Sequence, residues 1–376
     1  MADDVRRRDE LISDFVFNLF GCAAENIGIA FGGIPVKVMI IGGAGFIGCN
    51  AAKWFLDDGQ NVVVVDNLSR AGTRTNLEWL QANNDFTFVE QDIRHAAGIE
   101  EVFARHNDVE LILHLAGQVA VTTSVVDPRD DMENNLIGTF NVLEAMRKHA
   151  GNAVLIYSST NKVYGGMEDV SVVEEKFRYR YKKLASGVSE KRGLDFHSPY
   201  GCSKGAADQY VHDYARIYQL KTVVFRQSCI YGYRQFGVED QGWVAWFTIA
   251  SVLGKPLTIF GDGKQVRDVL FIDDLIQGYY LAYQHIKSTS GQVYNIGGGP
   301  ANTLSLLELI ELLSELNNRE INTSFSDWRP GDQPVFICDT SKARQDFTWK
   351  PRISPQAGVT MLYNWVVENK ALFTTT

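Results

Sequence analysis

The sequence lacks any paired or clustered arrangement of cysteines. Its 376 residues include only five, an odd number scattered along the chain. Their spacing fits neither a disulfide framework nor a metal site, so we expect free thiols, a reducing cytoplasmic location and no bound metal. The five are Cys22, Cys49, Cys202, Cys229 and Cys338.

Long apolar runs and an excess of positive charge are also missing. No run reaches the roughly 18–20 apolar residues that a membrane-spanning helix needs. The arginines at positions 6–8 are followed by acidic residues and by no clear cleavage site, which argues against a signal peptide. The net charge of −9 argues against a nucleic-acid or membrane surface as a partner.

The composition is that of a globular protein, with 45% hydrophobic and 22% charged residues. The length suggests one large domain or two closely joined ones. Residues 1–35 read as an extension in front of a complete domain. They combine helical apolar spacing between Leu11 and Phe20 with a glycine-rich linker at 28–33. The alternative, that the native chain begins near Val36, stays open.

A glycine-rich turn lies between two apolar stretches. Lys37–Ile41 predicts a buried strand, a helical pattern follows, and a second strand ends in Asp66. Strand, glycine turn, helix, strand and acid within about 30 residues predict a dinucleotide-binding unit. Gly42 allows the tight turn, Gly45 lets backbone N–H groups approach a pyrophosphate, and Gly48 lets the helix pack close to the strand.

Asp66 decides between the two common dinucleotides. A carboxylate at the end of the second strand can accept hydrogen bonds from both hydroxyls of the adenosine ribose, and it repels a 2′-phosphate. We therefore expect NAD rather than NADP as cofactor. Arg70 is interpreted as a neighbour of the adenine or its ribose.

Strand and helix patterns alternate as far as residue 225. A long helix covers about 130–149, and further strands are predicted at 86–89, 109–113, 154–157 and 221–225. This order predicts an α/β fold with a parallel, doubly wound sheet of the Rossmann type. We expect three parts: an extension at 1–35, the NAD-binding domain at 36–225, and a smaller mixed part at 226–376 that binds substrate and is interleaved with the sheet.

The stretch after residue 197 predicts a helix start that presents a tyrosine and a lysine on one face. Ser198 suits the N-cap, and Pro199 suits the first helical position. Tyr200 and Lys204 are four residues apart, and a phenol near an ammonium and a helix N-terminus loses its proton more easily. Tyr200 is therefore a candidate base for a hydroxyl, with Thr160 at a strand end as its partner. The pattern alone also fits an ordinary surface Tyr and Lys.

Two features of the second half are candidates for the substrate side. Arg267 and Arg329 suit a phosphate, because a planar guanidinium matches its oxygens. The alternative is surface ion pairing with Asp268 or Asp332. The charged segment 165–197 is a surface excursion by default, or else a lid on the substrate side.

Together these motifs resemble the extended short-chain dehydrogenases/reductases, in their nucleotide-sugar epimerase branch. The likeness runs from Lys37 to about Asn369. It is carried by the turn at 42–48, Asp66, Asp92-Ile93, His114–Ala116, Asn134–Thr139, Ser158–Gly165, the Tyr200/Lys204 pair, Arg267 with Asp273-Asp274, and Trp328–Asp332. Within the branch, the stretches Ser159–Tyr164, Leu194–Lys204 and Arg226–Trp243 resemble members that act on a CDP-linked dideoxyhexose.

The resemblance implies an NAD-dependent isomerase that oxidises C2 of such a sugar to a 2-keto intermediate and returns the hydride to the other face. It implies that Tyr200 is the base, that Lys204 lowers the pKa of Tyr200 and holds the nicotinamide ribose, and that Thr160 hydrogen-bonds the hydroxyl. Cofactor contacts are implied for Tyr200, Lys204, Gly42, Gly45, Phe46, Ile47, Gly48, Asp66, Asn67, Ser69, Arg70, Asp92, Ile93, Leu115, Ala116, Gln118, Asn134 and Ser158. Substrate contacts are implied for Thr123, Thr160, Gln235, Arg267, Arg329 and Asp332.

The sequence also departs from the family pattern. Dehydratases of this branch carry Asp-Glu directly after the threonine, where this chain has Asn161-Lys162, so loss of water is disfavoured. Cys229 stands where many relatives have Asn, which puts a diphosphate contact there in doubt. A C4-epimerase of a UDP- or CDP-hexose and a non-catalytic NAD-sensing protein stay open as alternatives. The resemblance further implies a homodimer or homotetramer that joins through the Tyr200 helix and the helix at 130–149.

Overall fold

The computed structural model describes residues 35–239, 241–329 and 332–374. Apart from Pro35, the predicted extension at 1–35 lies outside the described residues.

Strands and helices alternate through the first region. In chain order they are β1 (Lys37–Ile41), α1 (Phe46–Asp57), β2 (Asn61–Asp66), α2 (Thr73–Asn83), β3 (Thr87–Glu90), α3 (Ala96–Arg105), β4 (Leu111–His114), α4 (Val121–Val126), α5 (Pro128–Met132), a π turn (Glu133–Ile137), α6 (Gly138–His149), β5 (Val154–Thr160), a 3₁₀ turn (Asn161–Tyr164), β6 (Val172–Glu174), β7 (Tyr179–Tyr181), α7 (Ser198–Tyr218) and β8 (Lys221–Gln227).

The second region mixes short strands with helices. They are β9 (Cys229–Tyr231), α8 (Trp243–Leu253), β10 (Leu257–Phe260), β11 (Val266–Phe271), α9 (Ile272–Gln284), α10 (Ile286–Thr289), β12 (Gln292–Ile296), β13 (Thr303–Ser305), α11 (Leu306–Asn317), β14 (Thr323–Ser326), β15 (Val335–Phe336), α12 (Ser341–Phe347), α13 (Pro355–Glu368) and a 3₁₀ turn (Lys370–Phe373). Strands β9, β11, β13 and β15 form one small sheet, and β10 pairs with β14. Within the described ranges, no helix is long and apolar enough to cross a membrane.

Seven parallel strands form the central sheet, in the order β12-β8-β5-β4-β1-β2-β3. Met39 of β1 lies between Val63 of β2 and Ile112 of β4, and all three are buried. Continuous apolar strands of this kind need helices on both faces of the sheet. The predicted doubly wound α/β fold is confirmed. Strand β12 comes from the second region and pairs with β8, whereas the domain boundary at residues 225 and 226 stays a prediction.

Helix α7 is fixed to the sheet by a buried ion pair. Arg226 of β8 donates from Nε and Nη2 to the two carboxylate oxygens of Asp208 in α7, each at 2.9 Å. Ser159 Oγ near the end of β5 donates to the same carboxylate at 2.7 Å. Planar, two-point pairing of this kind sets orientation as well as distance. The start of α7 is therefore held over the carboxyl ends of the strands, where ligands of such sheets bind.

The charged segment 165–197 packs on the second region. Its strands β6 and β7 form an antiparallel hairpin. Tyr179 N donates to the Lys264 carbonyl and Val188 N to the Ile337 carbonyl, both at 2.8 Å. The segment is thus bonded to the second region at two points, while much of it stays exposed, as a surface excursion would be; a role as a lid stays a prediction.

Candidate active site

The glycine turn between β1 and α1 forms a cradle that side chains would fill. Gly42 has φ 85°, and a Cβ there would lie 2.6 Å from a backbone nitrogen of the loop after β4. A Cβ on Gly48 would lie 2.2 Å from the Gly42 carbonyl oxygen. Gly45 is the N-cap of α1. The N–H groups of Phe46 and Ile47 therefore lie in a first turn, where helical partners are missing and an anion is favoured.

Asp66 ends β2 beside this cradle. Its two carboxylate oxygens accept from Ala44 N at 3.0 Å and from Leu68 N at 2.8 Å. Burial raises the pKa of Asp66, and these backbone hydrogen bonds act against that rise. The carboxylate is therefore held at the mouth of the glycine turn, where the sequence predicts bonds to the ribose.

The predicted adenine side is held by a chain of polar contacts. Ser69 Oγ donates to Asn67 Oδ1 at 2.8 Å, and Asn67 Nδ2 donates to Asp92 at 2.9 Å. Arg94 donates to Asp92 from Nε and Nη2. This hydrogen bonding by Arg94 lowers the pKa of Asp92. Asp92 is thus engaged by protein partners, while the neighbouring Ile93 is buried.

Arg70 reaches across from the glycine-turn side to the second region. Its Nη2 donates to the side chain of Gln241. Burial among surrounding atoms lowers the pKa of Arg70, and Tyr200 and then Asp66 oppose that shift. The charge of this arginine therefore acts on the tyrosine of the site, and its predicted place beside the adenine or its ribose stays a prediction.

The π turn Glu133–Ile137 brings Asn135, which was not predicted, toward the site, and the cofactor contact of Asn134 stays a prediction. Asn134 Nδ2 donates to the Asp130 carbonyl at 2.8 Å. Asn135 is buried, its Nδ2 donates to Ser203 Oγ at 3.0 Å, and its Oδ1 has no partner among the described residues. Two adjacent asparagines could not be told apart in the sequence, because the π turn sets the phase of the helix.

The loop after β4 is held by hydrogen bonds at both of its ends. Leu115 N and Ala116 N both donate to the Ile41 carbonyl at 2.8 Å. Further along, Gln118 Nε2 donates to a carboxylate oxygen of Asp131 at 3.0 Å. These bonds hold the small residues of the loop against the glycine turn and give the pocket a fixed wall.

Tyr200 lies in the first turn of α7, as the sequence predicts. Ser198 Oγ accepts from Gly201 N at 3.2 Å, and Pro199 occupies the first turn. The Tyr200 phenol is buried, and the Thr160 hydroxyl hydrogen-bonds it. Burial raises the pKa of Tyr200 to about 12 and outweighs the effect of that hydrogen bond, which lowers it.

Lys204 lies one turn further along α7 and is also buried. Its Nζ donates to the Ser158 carbonyl at 2.5 Å and lies 4.3 Å from the centre of the Tyr157 ring. Burial lowers the pKa of Lys204 to about 7, while nearby carboxylates, Asp208 foremost, raise it. The predicted lowering of the Tyr200 pKa is not found, because burial of the phenol dominates and the ammonium is directed at the Ser158 carbonyl.

The substrate-side arginines lie in the second region. Arg267 Nη1 donates to the Gln333 carbonyl at 2.7 Å, and its Nη2 lies 4.0 Å from Asp332 Oδ1. The guanidinium of Arg329 lies 3.8 Å from the centre of the Phe260 ring. The long contact between Arg267 and Asp332 leaves that arginine able to bind an anion.

Gln235 and Thr123 differ in how well they fit the site. Gln235 Oε1 is buried without a hydrogen-bond partner among the described residues, so it can accept from a polar ligand. Thr123 is exposed on α4. Across the described ranges, no side-chain hydrogen bond links Thr123 to the other predicted site residues.

Lys162 was not predicted as a contact, yet it lies on the substrate side. Its backbone N donates to Thr160 Oγ1 at 3.2 Å. Burial lowers the pKa of Lys162 to about 8; the charge of Arg267 also lowers it, and Asp332 raises it. The charges of Lys162 and Arg267 therefore influence one another beyond the end of β5. The feature of the sequence that could have revealed Lys162 is its position two residues after Thr160, at the end of a predicted strand.

The comparisons with known proteins agree with this geometry. The model of the NAD dependent epimerase/dehydratase family matches residues 38–297. Among curated proteins, CDP-paratose 2-epimerase from Salmonella typhi is 46% identical over 335 residues, which cover 88% of this chain and 99% of that protein.

Solved structures give the same fold. UDP-glucose 4-epimerase from Thermotoga maritima, solved with UDP-glucose, has a TM-score of 0.76 and 31% identity over 89% of this chain and 100% of that one. UDP-glucuronic acid 4-epimerase from Bacillus cereus, in complex with UDP-glucuronic acid and NAD, has a TM-score of 0.76 and 28% identity over the same shares.

The glycine cradle and the buried Asp66 fit NAD. The family is NAD dependent and a solved relative holds NAD, so the predicted cofactor is confirmed. The family model matches more than half of the chain, and the alignment covers nearly the whole length of the relatives named above. This chain belongs to the NAD dependent epimerase/dehydratase family.

Proposed function

We propose that the protein is an isomerase that converts CDP-paratose to CDP-tyvelose by reversible oxidation at C2 of the sugar. The proposal rests on the 46% identity over 88% of the chain to the Salmonella typhi CDP-paratose 2-epimerase. The assembled cluster of Thr160, Tyr200 and Lys204 supports it. Asn161 and Lys162 follow Thr160, so neither residue offers a carboxylate to assist loss of water.

The residues of the glycine turn and Asp66 would hold NAD, and Lys204 would hold its nicotinamide ribose. When bound, oxidised NAD supplies a hydride acceptor and later donor, together with a positive charge that favours the Tyr200 phenolate. That charge matters because burial alone raises the pKa of Tyr200 to about 12.

Tyr200 acts as the base in the oxidation and as the acid in the return step. Its phenolate takes the proton of the C2 hydroxyl, directly or through Thr160, whose hydroxyl already bonds the phenol. Loss of this proton and of the C2 hydride leaves a 2-keto sugar, which turns within the site. Tyr200 then returns its proton to the C2 oxygen as hydride is restored to the opposite face. The same base serves both steps, so no second acid/base pair is needed.

The nucleotide end of the substrate would lie against the second region. Arg267 and Lys162, whose charges influence one another, would bind the diphosphate. Arg329 above Phe260 and Gln235 Oε1, which has no hydrogen-bond partner among the described residues, would bind the remaining polar groups. Asp332 would fix the orientation of Arg267. Mutual repulsion of the two cations makes an anion between them favourable.

A C4-epimerase of a UDP- or CDP-hexose is the second candidate. It is favoured by the UDP-glucose 4-epimerase structure, which is 31% identical over 89% of the chain. The same base and cofactor would act on a sugar turned differently in the pocket. A non-catalytic NAD sensor is disfavoured, because all three catalytic side chains are assembled.

Separate incubations of the purified protein with CDP-paratose, UDP-glucose and CDP-glucose, followed by proton NMR, test the choice. We expect CDP-tyvelose from the first and no C4 epimer from the others. Conversion of a hexose nucleotide at C4 without any CDP-tyvelose would replace the first candidate by the second. No conversion of any of them would contradict both.

The partner of this chain is proposed to be a second copy of itself, in a homodimer or homotetramer. Large apolar side chains lie exposed on α4, the π turn, α6 and α7: Val125, Val126, Ile137, Phe140, Tyr210 and Ile217. Phe140 and Tyr210 contact each other, and exposed apolar side chains on neighbouring helices are typical of a subunit contact. A cytoplasmic location is part of the proposal, supported by the four described cysteines, which are all free thiols.

A further inference from the structure

A buried carboxylate lies behind the tyrosine and lysine of the site. Asp131 in α5 has no exposed surface. It accepts from Ser203 Oγ, from Gln118 Nε2 at 3.0 Å and from Asn135 Nδ2 at 3.3 Å. Across the described residues, no lysine or arginine forms an ion pair with Asp131. A fully buried carboxylate with only neutral donors is costly, so it needs an explanation.

Its three donors come from three different walls of the pocket. Gln118 belongs to the loop after β4, Asn135 to the π turn, and Ser203 to the segment of α7 between Tyr200 and Lys204. Asp131 is therefore the point at which these walls are joined. A side chain that only filled space would need none of these bonds.

The lysine of the site lies close to this junction. A Cβ on Gly117 would lie 2.6 Å from Asn135 Oδ1 and 3.9 Å from Lys204 Nζ, so that carbonyl and the ammonium flank one small space. Among the described residues, the charged and titratable groups that face Lys204 include Asp208 from α7, Asp131 from α5, His114 from β4 and Tyr157 from β5. The two carboxylates favour the ammonium and raise the pKa of Lys204, against the larger effect of burial.

The Asp131 carboxylate disfavours the charged form of Tyr200, whereas it favours the charged form of Lys204. After burial and the Thr160 hydrogen bond, the groups that act on the pKa of Tyr200 are Asp131, which raises it, and Arg70, which lowers it. Asp131 itself is faced by Asp130 and Lys204; burial raises its own pKa, and the Ser203 hydrogen bond opposes that rise. One negative charge thus opposes the phenolate and favours the ammonium.

We propose that Asp131 is a positioning residue that joins the Gln118 loop to the Tyr200 helix and whose negative charge sets the protonation of the Tyr200–Lys204 pair. The role in turnover rests on the proposed function, whereas the effect on Lys204 does not depend on it. Removal of the Asp131 charge lowers the pKa of both Tyr200 and Lys204. The Tyr200 phenolate is then repelled less, and the Lys204 ammonium is stabilised less.

The direct test follows Lys204 by NMR in the full chain with lysine ¹³Cε labelling, its signal assigned by its absence in Lys204→Met. Asp131→Asn keeps the shape of the side chain and removes its charge. We expect its Lys204 titration to move to lower pH by roughly half a unit or more. The matched control Asp130→Asn, one residue earlier and paired with Arg94, leaves the midpoint in place. An unchanged midpoint in Asp131→Asn overturns the proposal, whatever the substrate proves to be.

The pH profile of kcat is the second readout. Under the proposal both limbs of the profile in Asp131→Asn move toward lower pH, whereas a merely structural residue lowers kcat at every pH and leaves the limbs in place. Inactivity of the wild-type protein on every nucleotide sugar would contradict the proposed function and leave the NMR result standing.

Ser203→Ala provides a second variant in case Asp131→Asn does not fold. It removes one donor that stabilises the carboxylate and substitutes a residue of higher helix propensity. We expect a shift of the Lys204 midpoint in the same direction but smaller. An unchanged midpoint in this variant also counts against the proposal.

Discussion

At the scale of single residues, burial decides the chemistry more than neighbouring charge does. The sequence suggests a tyrosine whose pKa is lowered by a lysine one turn away. In the structure, burial raises the pKa of Tyr200 to about 12 and lowers the pKa of Lys204 to about 7. Burial thus favours the neutral forms of both groups. The positive charge of bound oxidised NAD would favour the Tyr200 phenolate, which is the form that acts as a base.

Tyr200→Phe tests the base directly. We expect kcat to fall by roughly 10²–10⁴-fold, because the phenol oxygen that accepts the proton is gone. NAD should stay bound, since the glycine cradle is untouched, and ultraviolet absorbance of the purified protein checks this. The control Tyr363→Phe removes a phenol on α13 that bonds Asn317. Equal turnover in Tyr200→Phe and wild type would remove Tyr200 from the mechanism.

Lys204→Met should stabilise the protein while it inactivates it. The folded pKa of Lys204, about 7, lies below its ordinary value of 10.5. Between these values the unfolded chain binds a proton that the folded chain does not, so the stability of the wild type rises with pH. We expect a gain on the order of 2 kcal/mol in the free energy of unfolding at pH 7, which shrinks as the pH approaches 10.5.

Urea unfolding at pH 7 and pH 9 measures this gain. The control Lys287→Met removes an exposed lysine and should stay within about 0.5 kcal/mol at both pH values. A Lys204→Met variant that is less stable than wild type at pH 7 would show that the ammonium contributes more by its hydrogen bond than burial costs.

At the scale of elements, the pocket is built where β1, β4, β5 and α7 meet. The glycine turn, the alternation of strands and the capped start of α7 were all predictable, because each depends on residues adjacent in the chain. The roles of Asn135, Asp131 and Arg70 were not. The role of Asn135 depends on the π turn, that of Asp131 on packing between helices, and that of Arg70 on its contact with the second region. None of these can be recognised from residues that are adjacent in the sequence.

The ion pair between Asp208 and Arg226 is the fixed link between α7 and the sheet. We expect Asp208→Ala to lower the free energy of unfolding by about 3–5 kcal/mol, because it leaves the Arg226 guanidinium buried and unpaired. The control Asp213→Ala breaks an exposed pair with Arg216 on the same helix and should cost at most about 1 kcal/mol. Thermal or urea unfolding compares the two, and equal costs would mean that the buried pair does not hold the helix.

At the scale of the whole molecule, the second region adds substrate contacts to a cofactor-binding sheet. Strand β12 joins the sheet from that region, and the segment 165–197 packs against it. Arg70 and Gln241 connect the two regions across the mouth of the site. The fold and cofactor could be predicted because whole motifs specify them, whereas the sugar carbon that reacts depends on how the substrate is turned in the pocket.

Charge introduced on the proposed subunit surface should dissociate the oligomer. Val126 and Ile217 are 86% and 64% exposed, so glutamate fits at either position in the isolated chain. We expect Val126→Glu with Ile217→Glu to give monomers by light scattering, because a buried carboxylate without a partner is unfavourable. The control Val367→Glu on α13, where the side chain is 47% exposed, should keep the wild-type mass. A doubly substituted protein with the wild-type mass would place the contact elsewhere.

The central claim is transient oxidation at C2, and one measurement tests it most directly. CDP-paratose is incubated with the protein in D₂O, and the sugar protons are followed by NMR. The account predicts CDP-tyvelose that retains protium at C2, because the hydride leaves and returns without exchange with solvent. Deuterium at C2 would indicate deprotonation of carbon, and the absence of CDP-tyvelose would contradict the assignment altogether.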